Sequence, residues 1–138
     1  MSRKLMFLTG TRADFGKLEP LAIAARDAGH DVTFFVTGMH MLRRYGATRF
    51  EVQRLDGVLT AEFINQRIGD PQDIILSKTI LGLSDWVHEH RPDLAIVHGD
   101  RIEALAGALV SATNYIRCAH IEGGEVSGTI DEVYRHCN

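Results

Sequence analysis

The 138-residue chain is predicted to be an α/β protein built on a three-layer, doubly wound parallel sheet with strand order 3-2-1-4-5. Three observations lead there. Short apolar runs alternate with helical patterns along the chain, the signature of repeated β-α units. The runs are close to continuous, as strands covered by helices on both faces require. The most apolar of them belong at the centre of the sheet, and right-handed crossovers then fix the order.

The first strand is "KLMFLT" (4–9), and the helix after it is expected to bury Leu18, Leu21, Ala22 and Ala25 at i, i+3, i+4 and i+7. Gly29 stops that helix. Pro20 has no amide proton and is expected in or near the first turn, which puts the helix start between Asp14 and Lys17. "DVTFFVT" (31–37) is the second strand, and "EVQRL" (51–55) has the polarity of an edge strand and is taken as the third, with a short helix between them. Asp70 and Pro71 form an N-cap and N1 pair opening a helix whose buried stripe is Leu76, Ile80, Leu83 and Val87, ended by Pro92. "LAIVHG" (94–99) is a central strand, a helix over 102–113 presents small residues to the sheet, and "IRCAHIE" (116–122) is the fifth strand.

Composition narrows the function. With 45% hydrophobic residues the chain can fill one core, and length favours one domain. A net charge of -3 offers no general attraction for nucleic acid. The first apolar run, "LMFL", is too short for a signal-peptide core or a bilayer span, so no membrane partner is expected. Cys118 and Cys137 lie nineteen positions apart without a C-x-x-C pairing, which fits a reducing cytoplasm and argues against a disulfide framework.

In a doubly wound sheet, ligands bind beyond the carboxyl ends of the strands. The segments expected at that edge are 10–17, 38–40, 99–101 and 122 onward. The turn "GTRADFGK" opens a helix whose free amides, with Arg12 and Lys17, suit a phosphate. Its spacing is neither G-x-G-x-x-G nor a P-loop, so ordinary turn glycines and solvated cations remain an equal reading. Asp100 either caps the helix that follows or serves chemistry. Glu122 ends a core strand where solvation is not assured, and four carboxylates (Glu122, Glu125, Asp131, Glu132) fall within eleven residues. Thr129 and Glu132 have capping-box spacing. Carboxylates converging on one pocket divide into protonated and ionised members, which is how acid and base roles separate. His98 and His120 lie within strands and are expected to be satisfied core residues; strand alternation gives His98, Asp100, His120 and Glu122 no fixed tetrahedral geometry, so no metal is expected.

Together, "GTRADFGKL", "VTGMH", "VHGDRIEALAGA" and "HIEGGEVSGTIDEVYRH" resemble the hydrolysing UDP-N-acetylglucosamine 2-epimerase family of sialic acid biosynthesis, over essentially the whole chain. The resemblance implies the N-terminal Rossmann-like domain of a GT-B fold, a UDP-sugar substrate, and no redox cofactor or essential metal. By motif it makes Asp100, Glu122 and Asp131 the catalytic acids, and it places Arg12, Gly16, Lys17 and Arg101 near the nucleotide or its phosphates. Family members run to several hundred residues, so residues 1–138 are expected to be an N-terminal portion without the C-terminal nucleotide-binding domain, weakly active or inactive alone, with an exposed sheet edge that favours a homo-oligomer. A relative acting on a UDP-2,4-diacetamido-trideoxy-hexose, and a noncatalytic nucleotide-binding or assembly module, are the competing expectations.

Overall fold

The structure is a computed structural model describing residues 2–42 and 48–122. Five parallel strands form the sheet: β1 (Lys4–Thr9), β2 (Asp31–Val36), β3 (Leu59–Glu62), β4 (Leu94–His98) and β5 (Arg117–Ile121), in the order β3-β2-β1-β4-β5. The expected order is the observed one. Register runs from Lys4 opposite Asp31 to Thr9 opposite Val36 between β1 and β2, and from Leu94 opposite Arg117 to His98 opposite Ile121 between β4 and β5.

Alternating side chains on the strands build two cores. Phe7, Val32, Phe34, Val36 and Ile96 pack against Phe15, Leu18 and Ala22 of α1 (Arg12–Asp27) and against Val52 of α2 (Arg49–Gln53). On the opposite face Met6, Leu8, Phe35, Ala95 and Val97 pack against Leu83 and Val87 of α3 (Gln72–His90) and Ala104 and Val110 of α4 (Ile102–Thr113). The β-carbon of any larger residue at Gly107 would lie 2.7 Å from Val97 and 2.9 Å from Leu8, so a hydrogen at this position is what lets α4 seat closely on the sheet. No described helix is long and apolar enough to cross a membrane.

Five local expectations are corrected. α1 begins at Arg12, because Thr11 and Asp14 form a reciprocal capping box that satisfies the first amides, and Pro20 consequently lies well inside the helix on its exposed face. Leu21 is 46% exposed, and Phe15 takes its place in the buried stripe. The segment 51–55 is not a strand: residues 49–53 form α2, which buries Val52, and the edge strand is β3. Asp70 does not cap α3; Pro71 is the N-cap residue, while the Asp70 carboxylate accepts bonds from the Arg67 amide and Lys78 Nζ. The fully buried stripe of α3 is Ile75, Thr79, Leu83 and Val87, with Leu76 and Ile80 only partly covered.

Candidate active site

The carboxyl ends of β1, β2, β4 and β5 meet at one edge. There the Thr9 carbonyl accepts from the Thr37 amide at 3.0 Å, the Gly10 carbonyl accepts from the Met39 amide at 2.7 Å, and the Ile121 carbonyl accepts from the Gly99 amide at 2.9 Å. These bonds tie neighbouring strand ends together and give the side chains beyond them a rigid base.

Asp14, in the first turn of α1, is 7% exposed. Its Oδ2 accepts from the Gly10 amide at 3.0 Å and the Thr11 amide at 3.1 Å, while Oδ1 lies 2.7 Å from His98 Nδ1 at the end of β4. The other nitrogen of that ring, Nε2, lies 2.9 Å from Glu122 Oε2, and Glu122 Oε1 lies 3.2 Å from Lys17 Nζ. A carboxylate on each ring nitrogen asks both to carry a proton. The bond to Asp14 raises the His98 pKa above its ordinary value, against partial burial, and the bond to Glu122 adds to the rise. The Glu122 carboxyl is pushed down, first by His98 and then by Lys17. Glu122 holds a left-handed backbone conformation at φ 59°, uncommon for a residue with a side chain.

A second polar cluster lies beneath. His40 is fully buried between Thr9 Oγ1 and Thr48 Oγ1, each 2.8 Å from a ring nitrogen. Thr9 Oγ1 donates to the Thr11 carbonyl, so it accepts from Nε2–H of His40, and Nδ1 accepts from Thr48. Burial lowers the His40 pKa, with Asp14 opposing, in keeping with a neutral ring. Glu103, in the first turn of α4, is 2% exposed, and its carboxyl lies against Gly10 and Gly38 with Arg101 Nε 3.5 Å away. Burial raises the Glu103 pKa, and Arg101 only partly counters it.

The structure brings Lys17 and Glu122 into direct contact. Asp100 is half-buried in the β4–α4 turn, and the N-cap of α4 is Arg101. Arg12 reaches across to Glu51 of α2 at 2.9 Å and is mostly exposed. Gly16 sits on the exposed side of α1, where an added β-carbon would meet nothing within 4 Å. Asp131, Glu125, Thr129 and Glu132 lie outside the described residues. His98, expected to be a satisfied core residue, is instead the bridge between two carboxylates, and its partner Asp14 was not singled out as a site residue. His120 does satisfy itself locally, on the Gly99 carbonyl.

Among the described residues the edge is open rather than deeply pocketed. A hollow of about 270 Å³ lined by Thr11, Arg12, Ala13, Met39 and Thr48 adjoins the start of α1. Larger hollows of about 370 and 500 Å³ lie at the opposite edge, around Lys4, Asp31 and Pro92 and around Arg3, Asp93 and Arg117. Neither is lined by the hydrogen-bonded chain Asp14–His98–Glu122, which lies at the first edge.

The family model described as UDP-N-acetylglucosamine 2-epimerase matches residues 23–138. The chain belongs to the UDP-N-acetylglucosamine 2-epimerase family. It is 46% identical over 135 residues to the UDP-N-acetylglucosamine 2-epimerase of Neisseria meningitidis serogroup B, covering 97% of this chain and 36% of that protein. It is 34% identical to the hydrolysing UDP-N,N'-diacetylbacillosamine 2-epimerase of Legionella pneumophila, covering 99% of this chain and 37% of that one. The fold matches the UDP-GlcNAc 2-epimerase of Methanocaldococcus jannaschii solved with UDP-GlcNAc and UDP, at a TM-score of 0.76 and 25% identity over 99% of this chain and 37% of that one. This epimerase-family chain thus spans little more than a third of the length of the curated relatives it matches.

Proposed function

We propose that residues 1–138 are the N-terminal, Rossmann-like lobe of a hydrolysing UDP-N-acetylglucosamine 2-epimerase that converts UDP-N-acetylglucosamine to N-acetylmannosamine and UDP for sialic acid synthesis. The observation that carries this reading is Glu122, an ionised carboxylate held at the end of β5 by His98 and Lys17, on the same edge as Asp100 and the N-terminus of α1.

The chemistry needs a base, an acid and a place for departing phosphate charge. In the proposed reaction a carboxylate removes the C2 proton, the C2–H electron pair forms the C1–C2 double bond, and the C1–O bond breaks on the opposite face to release UDP. Water then adds to the resulting 2-acetamidoglucal, its oxygen to C1 and a proton to C2 from the face that leaves C2 inverted. Asp100, Glu122 and Asp131 divide the proton transfers and the orientation of water. Arg12, Lys17 and Arg101, with the amides at the α1 N-terminus and the small Gly16 surface, suit the pyrophosphate. The open edge fits a second, nucleotide-binding lobe closing over it, and exclusion of water by that lobe would protect the intermediate. The described residues pair β5 with β4 alone, and self-association that covers β5 is part of the same reading. Light scattering tests it, with a purely monomeric solution as the opposing result.

A second substrate is favoured by one finding, the 34% identity to a hydrolysing diacetamido-sugar epimerase. Incubation with UDP-N-acetylglucosamine or the UDP-diacetamido sugar, with and without a separately expressed C-terminal half, separates the two. Release of UDP and N-acetylmannosamine that needs the added half and is lost in Asp100→Asn and Glu122→Gln supports the reading. Turnover surviving both replacements together overturns it. Binding of UDP without turnover under any of these conditions points to a noncatalytic nucleotide-binding module.

A further inference from the structure

We infer that Asp14 and His98 are positioning residues for Glu122, a buried carboxylate–imidazole pair that aims its carboxylate and keeps it charged; this rests on the reading of Glu122 as a reacting group. The three side chains come from α1, β4 and the residue that follows β5, with Asp14 and His98 separated by 84 positions. Their side chains are 10%, 10% and 34% exposed for Asp14, His98 and Glu122, so the chain of bonds runs from the interior out to the edge where a sugar would lie.

Each link is fixed by the one behind it. The α1 capping box uses only Oδ2 of Asp14, on the Gly10 and Thr11 amides, and this pins the carboxyl so that Oδ1 points at His98. A cap alone requires nothing of Oδ1. With Nδ1 anchored, the imidazole has one remaining direction for Nε2–H, and that direction meets Glu122 Oε2 at 2.9 Å. Lys17 holds Oε1 from the other side at 3.2 Å. The carboxylate thereby lies between two cations, on a residue whose backbone is left-handed at φ 59°.

The charges close on themselves. Asp14 and Glu122 balance His98 and Lys17, and among the described residues the charged or titratable groups on the neighbouring elements include His40 beyond Thr9, Asp100, Arg101 and Glu103 at the start of α4, and His120 on β5. The raised His98 pKa and the lowered Glu122 pKa agree with this arrangement. Glu122 therefore enters a turnover ionised, able to accept a proton or to face positive charge developing at the anomeric carbon. The proton-donating duty falls to another acid.

Two readouts test the pair. In a histidine-selective 15N NMR titration of the 138-residue chain, with His98→Gln assigning the resonance, His98 should carry protons on both nitrogens at neutral pH and titrate above the ordinary histidine range. Asp14→Asn should bring that midpoint down, and Glu122→Gln, which leaves the α1 cap intact, should bring it down by less. A His98 midpoint at or below the ordinary value, or one that neither replacement moves, overturns the inference. With the C-terminal half added and UDP-N-acetylglucosamine as substrate, His98→Gln should lower kcat by about ten- to a hundredfold at neutral pH, move the acid limb of the profile to higher pH, and leave KM nearly unchanged. A loss equal at every pH assigns His98 a structural role instead. Absence of turnover from the unmodified chain with the C-terminal half added would overturn the proposed function, while the titration still decides the geometry.

Discussion

Arg101 Nε lies 3.5 Å from Glu103 Oε2, and this nitrogen and both Glu103 carboxyl oxygens are buried with no hydrogen-bond partner among the described residues. An ion pair at that distance is not a full hydrogen bond, so it offsets only part of the cost of burying a carboxylate. Burial accordingly raises the Glu103 pKa.

A carboxyl with a raised folded pKa stabilises fully below its unfolded value, here 4.5, and loses that stability as pH rises toward the folded value. Glu103→Gln has nearly the same shape and no proton to lose. Its stability relative to the unmodified chain should therefore grow as pH rises. Thermal melts of both proteins from acid to neutral pH check this, and a variant less stable than its parent at neutral pH contradicts it.

His40 carries the opposite sign. Its folded pKa is lowered by burial, so the neutral ring is fully stabilising above the unfolded value of 6.5 and becomes a liability as pH falls below it. His40→Ala empties a fully buried site and leaves the Thr9 and Thr48 hydroxyls short of a partner. The expected loss is about 2–4 kcal/mol at neutral pH, with a smaller difference in acid. Urea unfolding at the two pH values reads both numbers.

Much of this architecture is legible in the residues alone, and the failures have physical causes. The order of the strands follows from their apolarity, and the 102–113 helix appears with the expected limits because its small residues and its bounding turns agree. β3 was missed because an edge strand need not bury its side chains: Leu59 is 71% exposed, whereas Val52 of the misassigned segment is fully buried, in a helix. The start of α1 is written in the T-x-x-D spacing of Thr11 and Asp14, while Pro20, the residue that argues for a later start, sits inside the helix on its exposed face. Glu122 and Lys17 stand together at the edge as expected. The bonds that orient Glu122 were invisible because Asp14 and His98 meet only through the sheet. Glu103 had a faint signal: it lies four residues before Gly107 on the side of α4 that faces the strands.

The four-group cluster at the edge defines a pH window. His98 has a raised folded pKa, so its contribution is fully present below about 6.5 and is lost as pH rises through the folded value. Glu122 has a lowered one, so its contribution is present above its ordinary value of 4.5 and is lost as pH falls through the folded value. Both are charged between those limits. Glu122→Gln should lower Tm most inside that window and progressively less on either side of it, since it removes one carboxylate and lets the His98 pKa fall; a loss of the same size at every pH contradicts the pairing.

Gly38 is the tightest point of the edge. Its φ is 63°, and a β-carbon there would lie 2.6 Å from the Gly10 carbonyl oxygen and 2.6 Å from Glu103 Oε1. The backbone oxygen cannot move aside, because it accepts the Met39 amide at 2.7 Å, and the Gly38 amide is itself fixed on Asn65 Oδ1 at 3.0 Å. Gly38→Ala should therefore cost about 2–4 kcal/mol from the left-handed backbone and the collision together. Combining it with Glu103→Ala relieves only the side-chain half of that collision, so the double replacement should recover some of the coupling between the two sites and none of the backbone strain. A denaturation cycle over the four proteins measures that coupling, and strictly additive losses would show that Gly38 and Glu103 do not touch.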